Sequence, residues 1–256
     1  MSRQHLSQAE VRRFHDEGFL GPFVLCAPEQ MTAIRERIVR EVLPAVMERP
    51  DKQRHLDCRV IYELCSHPAI LDRIESLVGP DIVLWQSRIV VKEPGAKLIT
   101  WHTDDNYLHI EPRLNFSAWV AIDETTADNG AVRLLPGSHK LTIPHIEAGP
   151  EVYSPQQADP RYFDEHGPIV EMRLKPGEFF LFTDRTLHQS GPNHTDRPRL
   201  GLAVRLTVPL VRVDHELGVI VVRGQDRLGF NRVVQPPSER EGVAMPSFAS
   251  VDAAMR

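Results

Sequence analysis

The sequence has little that points to an extracellular or membrane protein. It contains only three cysteines, Cys26, Cys58 and Cys65, and no two are separated by the two-residue gap of zinc and redox motifs. No segment approaches the roughly 18 consecutive apolar residues that cross a bilayer. The chain opens on polar residues without the apolar centre of a signal peptide. We therefore expect reduced thiols, no membrane segment and a cytoplasmic location.

Positive charge is also scarce relative to negative charge. The 30 Lys and Arg residues are outnumbered by 35 Asp and Glu residues, which gives a net charge of -5. Nucleic acid is therefore not an expected partner. The 256 residues suit one domain. We expect helices over about 7–80, a β core over about 81–225 and a C-terminal tail, and no feature indicates an oligomeric state.

The N-terminal part carries helix signals. Ser7 and Glu10 have the spacing of a capping box. Val11, Phe14 and Phe19 form a partial apolar stripe, and Gly18 is a typical stop signal. A second helix is predicted from Pro28 to about Val46, because apolar residues recur there every three or four positions.

The pattern changes at Asp81 to short β-branched and aromatic runs between Pro-Gly turns. Predicted strands are Ile82–Trp85, Ile89–Val91, Phe116–Ile122, Ala131–Leu135, Ile169–Leu174, Glu178–Phe182, Leu200–Val208 and Val219–Val222. Many short strands of this kind favour a jelly roll or β-barrel. Residues Glu147–Gly167 have no clean period and are interpreted as a long loop that could cover a site, and the residues after Pro236 are interpreted as a poorly ordered tail.

A His-x-Asp motif, His102 and Asp104, is the first candidate metal site. Residues i and i+2 of an extended strand point to the same side, so both side chains could reach one ion, whereas Asp105 would face away. His188, which follows a strand-like run, is the best candidate for the third ligand. Two imidazoles and one carboxylate leave open metal positions and favour Fe(II) oxygen chemistry. Four further histidines are weaker alternatives: His109, His139, His145 and His194.

A candidate carboxylate-binding residue follows the third histidine. Arg199 begins another strand-like run, where a fixed guanidinium could bind a carboxylate at two points. Arg197 lies just before Pro198 and is interpreted as a surface residue.

The order of these motifs resembles that of the phytanoyl-CoA dioxygenase family over about Ile82–Val208. The matching elements are His102-x-Asp104, Trp119–Asp123, Asn129-Gly130, Pro136–Lys140, His188-x-Ser190 and Arg199. The resemblance implies a mainly β protein with flanking helices, built on a double-stranded β-helix of the jelly-roll or cupin type. It also implies the cofactor Fe(II), the cosubstrate 2-oxoglutarate and O2.

Roles for individual residues follow from the same resemblance. His102, Asp104 and His188 would be the iron ligands. Arg199 would bind the distal carboxylate of 2-oxoglutarate with help from Ser190. Trp119 would line the cosubstrate pocket, and Gln86 would make a polar contact to the cosubstrate or the substrate.

The resemblance also implies a reaction type, the hydroxylation of a small molecule. Halogenases similar to this family have a small residue in place of the carboxylate, so Asp104 favours hydroxylation. Desaturation and cyclisation stay open, as does a cupin-like hydrolase or isomerase that does not use 2-oxoglutarate, or a barrel that only binds a ligand. The substrate is expected to be a small metabolite, with specialised biosynthesis as one candidate source. Pocket candidates are Trp85, Trp101, Asn106, Tyr107 and His109.

Overall fold

The protein is seen in a computed structural model, which describes residues 3–44, 51–106, 110–147, 156–159, 168–213 and 218–238. The α-helices are α1 (Gln8–Glu17), α2 (Pro28–Arg37), α3 (Arg59–Cys65) and α4 (Pro68–Val78). The strands are β1 (Phe19–Val24), β2 (Ile82–Lys92), β3 (Ile99–His102), β4 (Ile110–Glu111), β5 (Phe116–Ala121), β6 (Val132–Leu134), β7 (His145–Glu147), β8 (Gln156–Ala158), β9 (Val170–Met172), β10 (Glu178–Thr183), β11 (His188–Ser190), β12 (Arg199–Thr207), β13 (Arg212–Val213) and β14 (Ile220–Arg223).

Helix α1 begins and ends as predicted. The Ser7 hydroxyl accepts from the Glu10 amide while the Glu10 carboxylate accepts from the Ser7 amide. Gly18 takes the left-handed conformation, with φ +85°, and its N–H donates to the Phe14 carbonyl. The apolar stripe was wrong in one respect, because Phe19 lies on the following strand and not on the helix face.

The second helix differs from the prediction in its last part. Regular α-helix ends at Arg37, and a π-helical turn continues over Ile38–Val42. Ile38 and Val42 are both buried, so this turn keeps the apolar face on the core. The predicted end at Val46 lies outside the described residues.

Two antiparallel sheets form the centre of the molecule. The larger sheet has the strand order β1-β10-β5-β12-β2-β14, and the smaller has the order β3-β11-β6-β9. One apolar cluster joins the larger sheet to the helices, and a second joins the sheets through residues such as Trp119, Phe180 and Leu134. The mainly β double-stranded β-helix with flanking helices is therefore confirmed.

The strand predictions hold for the longer apolar runs. The two runs before Pro94 form one continuous strand, β2. Seven short strands were not predicted: β1, β3, β4, β7, β8, β11 and β13. The expectation of a single loop over Glu147–Gly167 is wrong, since β7 and β8 pair as a hairpin. Residues 148–155 and 160–167, and the tail beyond residue 238, lie outside the described ranges.

Candidate metal centre

The smaller sheet brings the predicted ligands together. Strand β11 pairs with β3 so that His188 lies opposite His102. The Nε2 atoms of both histidines are 4.0 Å from Oδ1 of Asp104. The three candidate ligand atoms all lie within 4.8 Å of one another. That spacing suits three ligands arranged around one ion.

The local geometry of Asp104 differs from the prediction. Strand β3 ends at His102, and a 3-10 turn begins at Asp104, so the expected extended chain through this position is wrong. The amides of Asp104 and Asp105 both donate to the carbonyl of Asp184, at 2.7 and 3.2 Å. This turn aims the Asp104 carboxylate at the histidines, and Asp105 is not part of the cluster.

The hydrogen bonds of the imidazoles set their orientation. Nδ1 of His102 lies 2.7 Å from the Thr100 carbonyl, and Nδ1 of His188 lies 2.9 Å from the Thr186 carbonyl. A carbonyl only accepts, so each Nδ1 carries the proton and each Nε2 presents a lone pair to the centre. Burial lowers the pKa of His102 to about 3, which keeps this imidazole neutral and able to bind a metal.

Asp104 is charged and fixed at both oxygens. Burial alone would raise its pKa, but the positive charge and hydrogen bond of Arg205 hold the pKa below its usual range. Nη1 of Arg205 donates to Oδ2 at 2.6 Å. The other oxygen, Oδ1, faces the two histidines. The arrangement offers a metal one carboxylate oxygen and two imidazole nitrogens.

A cavity of about 300 Å³ joins this cluster to the predicted carboxylate-binding residues. The metal-site side chains lie along one part of its wall, and Arg199, Ser190 and Trp119 line another part. Gln86 does not line it. The pocket candidates Trp85 and Trp101 do not line it either, since the Trp85 indole donates to Asn115 and Trp101 packs in a separate apolar cluster.

Arg199 is a buried cation with unused donors. It is only 2% exposed, and Nη2 donates to the Gly130 carbonyl and to Ser190 Oγ at 3.2 and 3.4 Å. Nε and Nη1 have no partner. The Trp119 ring lies 5.1 Å from the guanidinium carbon. Burial lowers the pKa of Arg199 to about 10, so it stays charged at neutral pH, and a buried cation with unpaired N–H donors suits a carboxylate.

Lys92 does not line the cavity but contacts Ser190, which does, and sequence reasoning missed it. It lies opposite Arg199 in the β2–β12 pairing, and its Nζ donates to Ser190 Oγ at 3.2 Å. Burial, with a contribution from Arg199, lowers its pKa to about 8. The sequence did offer one signal for Lys92, since it is a lysine at the end of a β-branched run that stops at Pro94-Gly95 and so belongs to a predicted strand.

The alternative histidines are not part of the cluster within the described chain. His139 contacts the His15 carbonyl, and His145 accepts from the Thr103 amide. His194 donates its backbone amide to Asp128. His109 and the pocket candidate Tyr107 lie outside the described residues.

Fold and site together define a double-stranded β-helix protein with a two-histidine, one-carboxylate centre next to a buried arginine. The sequence profile of the phytanoyl-CoA dioxygenase family matches residues 14–201, and the chain belongs to that family. The predicted resemblance is thereby confirmed. Over the parts of the chain that the structure describes, no helix is long and apolar enough to cross a membrane.

Individual relatives agree with this assignment. The chain is 31% identical to dioxygenase lolE1 of Epichloe uncinata over 182 residues, which are 71% of this chain and 64% of lolE1, so the match spans less than two thirds of that relative. The structure of CytC3 with Fe(II) and alpha-ketoglutarate superposes with a TM-score of 0.73 at 25% identity, over 92% of this chain and 96% of CytC3.

A more distant structure shares the fold alone. The epimerase SnoN from nogalamycin biosynthesis, in complex with Fe3+, alpha ketoglutarate and nogalamycin RO, gives a TM-score of 0.64 at 19% identity, over 93% of this chain and 97% of SnoN. Proteins of this fold therefore include one whose reaction is not a hydroxylation, and the fold by itself does not select the outcome.

Proposed function

We propose that the protein is an Fe(II)- and 2-oxoglutarate-dependent oxygenase that hydroxylates an unactivated C–H bond of a small metabolite. In the balanced reaction, substrate, 2-oxoglutarate and O2 give the alcohol, succinate and CO2. One observation carries the proposal. The cavity that contains the three metal-binding side chains also contains Arg199, whose Nε and Nη1 have no partner.

Each residue has a defined part in this proposal. His102, Asp104 and His188 would hold the iron, whose role is to activate O2. Arg199, with the Ser190 hydroxyl beside it, would bind the distal carboxylate of 2-oxoglutarate. Trp119 would pack along that guanidinium and exclude water from the ion pair.

The choice of hydroxylation rests on Asp104. Its carboxylate takes a metal position that a halide would need, so halogenation is disfavoured. The cavity volume of about 300 Å³ suits a small organic molecule. A substrate from specialised metabolism stays a prediction, because the likeness to SnoN shows the fold alone.

Both alternative functions receive less support. A barrel that only binds a ligand would not need converging metal ligands, and here they converge. A hydrolase or isomerase without 2-oxoglutarate would not need a buried arginine with unpaired donors in the metal cavity.

Anaerobic titration of Fe(II) and 2-oxoglutarate into the protein tests the proposal. We expect a weak visible charge-transfer band, because the keto acid chelates the iron. Asp104→Ala should lose the band, whereas Asp16→Ala, an exposed aspartate paired with Lys140, should keep it. A wild-type protein with no band at saturating reagents would exclude the assignment. A panel of acids, amino acids, acyl thioesters and natural products, scored by succinate release, then identifies the substrate.

A further inference from the structure

Two arginines of the cavity are neither metal ligands nor assigned to 2-oxoglutarate: Arg88 on β2, and Arg205 on β12, which is paired with Asp104. In the pairing of these strands, Ala203 lies opposite Arg88, and Arg205 lies opposite Gln86. Residues 203 and 205 point to the same face, because side chains alternate along a strand. Arg88 and Arg205 are therefore diagonal neighbours on the inner face, with a typical Cα separation of about 7–8 Å.

The charges in the cavity indicate what this pair of arginines could bind. With ferrous iron and the 2-oxoglutarate dianion in place, the charges of Asp104 and Arg199 bring the centre to neutrality. Asp104 is the sole acidic side chain among the described residues that line the cavity. Arg88 and Arg205 therefore leave the loaded cavity positively charged, which favours an anion.

Arg88 can provide the direct contact. Its Nε donates to Asp51 at 3.1 Å, in a pair whose arginine side chain is 44% exposed. Exposed ion pairs of this kind are weak, so Asp51 does not compete strongly with an anionic ligand. The two terminal nitrogens supply four further N–H donors, and a guanidinium fork binds a carboxylate or phosphate at two points.

Besides the polar Gln189 and Ser190, the cavity wall includes apolar side chains. Val90, Ile99, Val132 and Phe182 contribute to it. We propose that the substrate is a small organic anion whose carboxylate or phosphate group binds to Arg88. The positive charge of Arg205 contributes to the attraction. The apolar part of the substrate lies against this wall, beside the metal. The inference rests on the proposed function, because it assigns the substrate class of the same centre.

Calorimetry on the full chain tests the inference. The protein is loaded anaerobically with Fe(II) and saturating 2-oxoglutarate, and matched probes are titrated in: benzoate against benzamide, hexanoate against hexanamide, and phenyl phosphate against phenol. We expect at least one anion to bind about tenfold or more tightly than its neutral partner. Comparison of the carboxylate probes with phenyl phosphate shows which of the two anionic groups the protein prefers.

Three variants locate the anion. Arg88→Gln should remove the preference for the charged probe, and Arg88→Lys should keep part of it, because the charge remains and the fork is lost. Arg13→Gln is the matched control, since Nε of Arg13 also donates at 3.1 Å to a carboxylate in an exposed pair, that of Glu17. This control should keep the full preference.

The outcomes separate the two proposals. An intact charge-transfer band without any preference for anions would overturn the substrate class and leave the oxygenase assignment in place. Loss of the band would overturn the oxygenase assignment itself. If the affinity for the anionic probe falls in proportion to added 2-oxoglutarate, the probe binds at Arg199 and the inference is overturned. If Arg88→Gln keeps the full preference for the anion, Arg88 is not the binding residue, and the inference is likewise overturned.

Discussion

Arg205 and Asp104 form a short ion pair beside the two histidines of the metal cluster, with Nη1 2.6 Å from Oδ2. This pair restrains the carboxylate so that Oδ1 faces His102 and His188 at 4.0 Å. A hydrogen-bonded partner of this kind commonly orients a metal ligand and fixes its charge. Arg205 thus has two functions in the proposed site, as the positioning residue of Asp104 and as part of the positive wall.

Removal of this restraint should weaken metal binding. For Arg205→Met we expect a loss of about 10- to 100-fold in affinity for Co(II) or Fe(II), because Asp104 can then rotate away from the cluster. The absorbance of bound Co(II) measures the change without turnover. Arg173→Met, at an exposed arginine paired with Glu171, is the control and should bind as the wild type does. Equal affinities of Arg205→Met and wild type would show that Asp104 needs no such partner.

Substitution of Arg199 should weaken the binding of 2-oxoglutarate and leave the affinity for the metal unchanged. A hydrogen bond to a charged group contributes about 1.5–3 kcal/mol, so Arg199→Ala should weaken 2-oxoglutarate binding by about 10- to 100-fold. Arg199→Lys should be intermediate, because the charge stays and the two-point contact is lost. Titration of the charge-transfer band measures the cosubstrate, and Co(II) absorbance the metal. A cosubstrate affinity that stays at the wild-type value in Arg199→Ala would exclude the assigned role.

Lys92 should make cosubstrate binding depend on pH. Burial lowers its pKa to about 8, so its positive charge is lost as the pH rises through this value, while Arg199 stays charged. Nζ of Lys92 shares Ser190 Oγ with Arg199, so we expect 2-oxoglutarate affinity to fall several-fold between pH 7 and about 9. Lys92→Met should bind more weakly at pH 7 and show a flat profile, and the exposed-residue control Lys140→Met should follow the wild type.

The same pKa shift has a consequence for stability. Between the folded pKa of about 8 and the ordinary value of 10.5, the unfolded chain binds more protons at this lysine than the folded chain does. The contribution of Lys92 to the free energy of unfolding therefore rises with pH across this window. A wild-type protein and a Lys92→Met variant whose unfolding free energies change in parallel with pH would contradict this.

The sequence correctly predicted those elements whose formation depends mainly on residues close together in the chain. Long β-branched runs such as that in β12, and the cap at Ser7, carry their own signal. Strands β3 and β11 have only four and three residues, and they exist because each pairs with a neighbour far along the chain. The turn at Asp104 likewise depends on the distant Asp184 carbonyl.

The candidate site likewise has a part that the sequence predicted and a part that depends on contacts between residues far apart in the chain. The ligand types and Arg199 could be predicted from motif order, whereas the contact between Arg205 and Asp104 joins residues 101 positions apart. One signal was available in the sequence, because positions 199 and 205 differ by an even number and so share a strand face. The register against β2, which places Lys92 and Arg88 beside them, could not be predicted from either strand alone.

The close approach of Gly201 to Trp119 gives the last prediction. A Cβ on Gly201 would collide with Cζ2 of Trp119, and the indole packs beside the Arg199 guanidinium. Gly201→Ala should therefore displace the indole, lower the melting temperature and weaken 2-oxoglutarate binding about tenfold. Trp119→Phe should cost a few-fold in affinity by itself and should make room for the alanine. In the double variant the two losses should not add, with a coupling of about 0.5–3 kcal/mol in unfolding free energy. Strict additivity would mean that the alanine acts through some other contact than the indole.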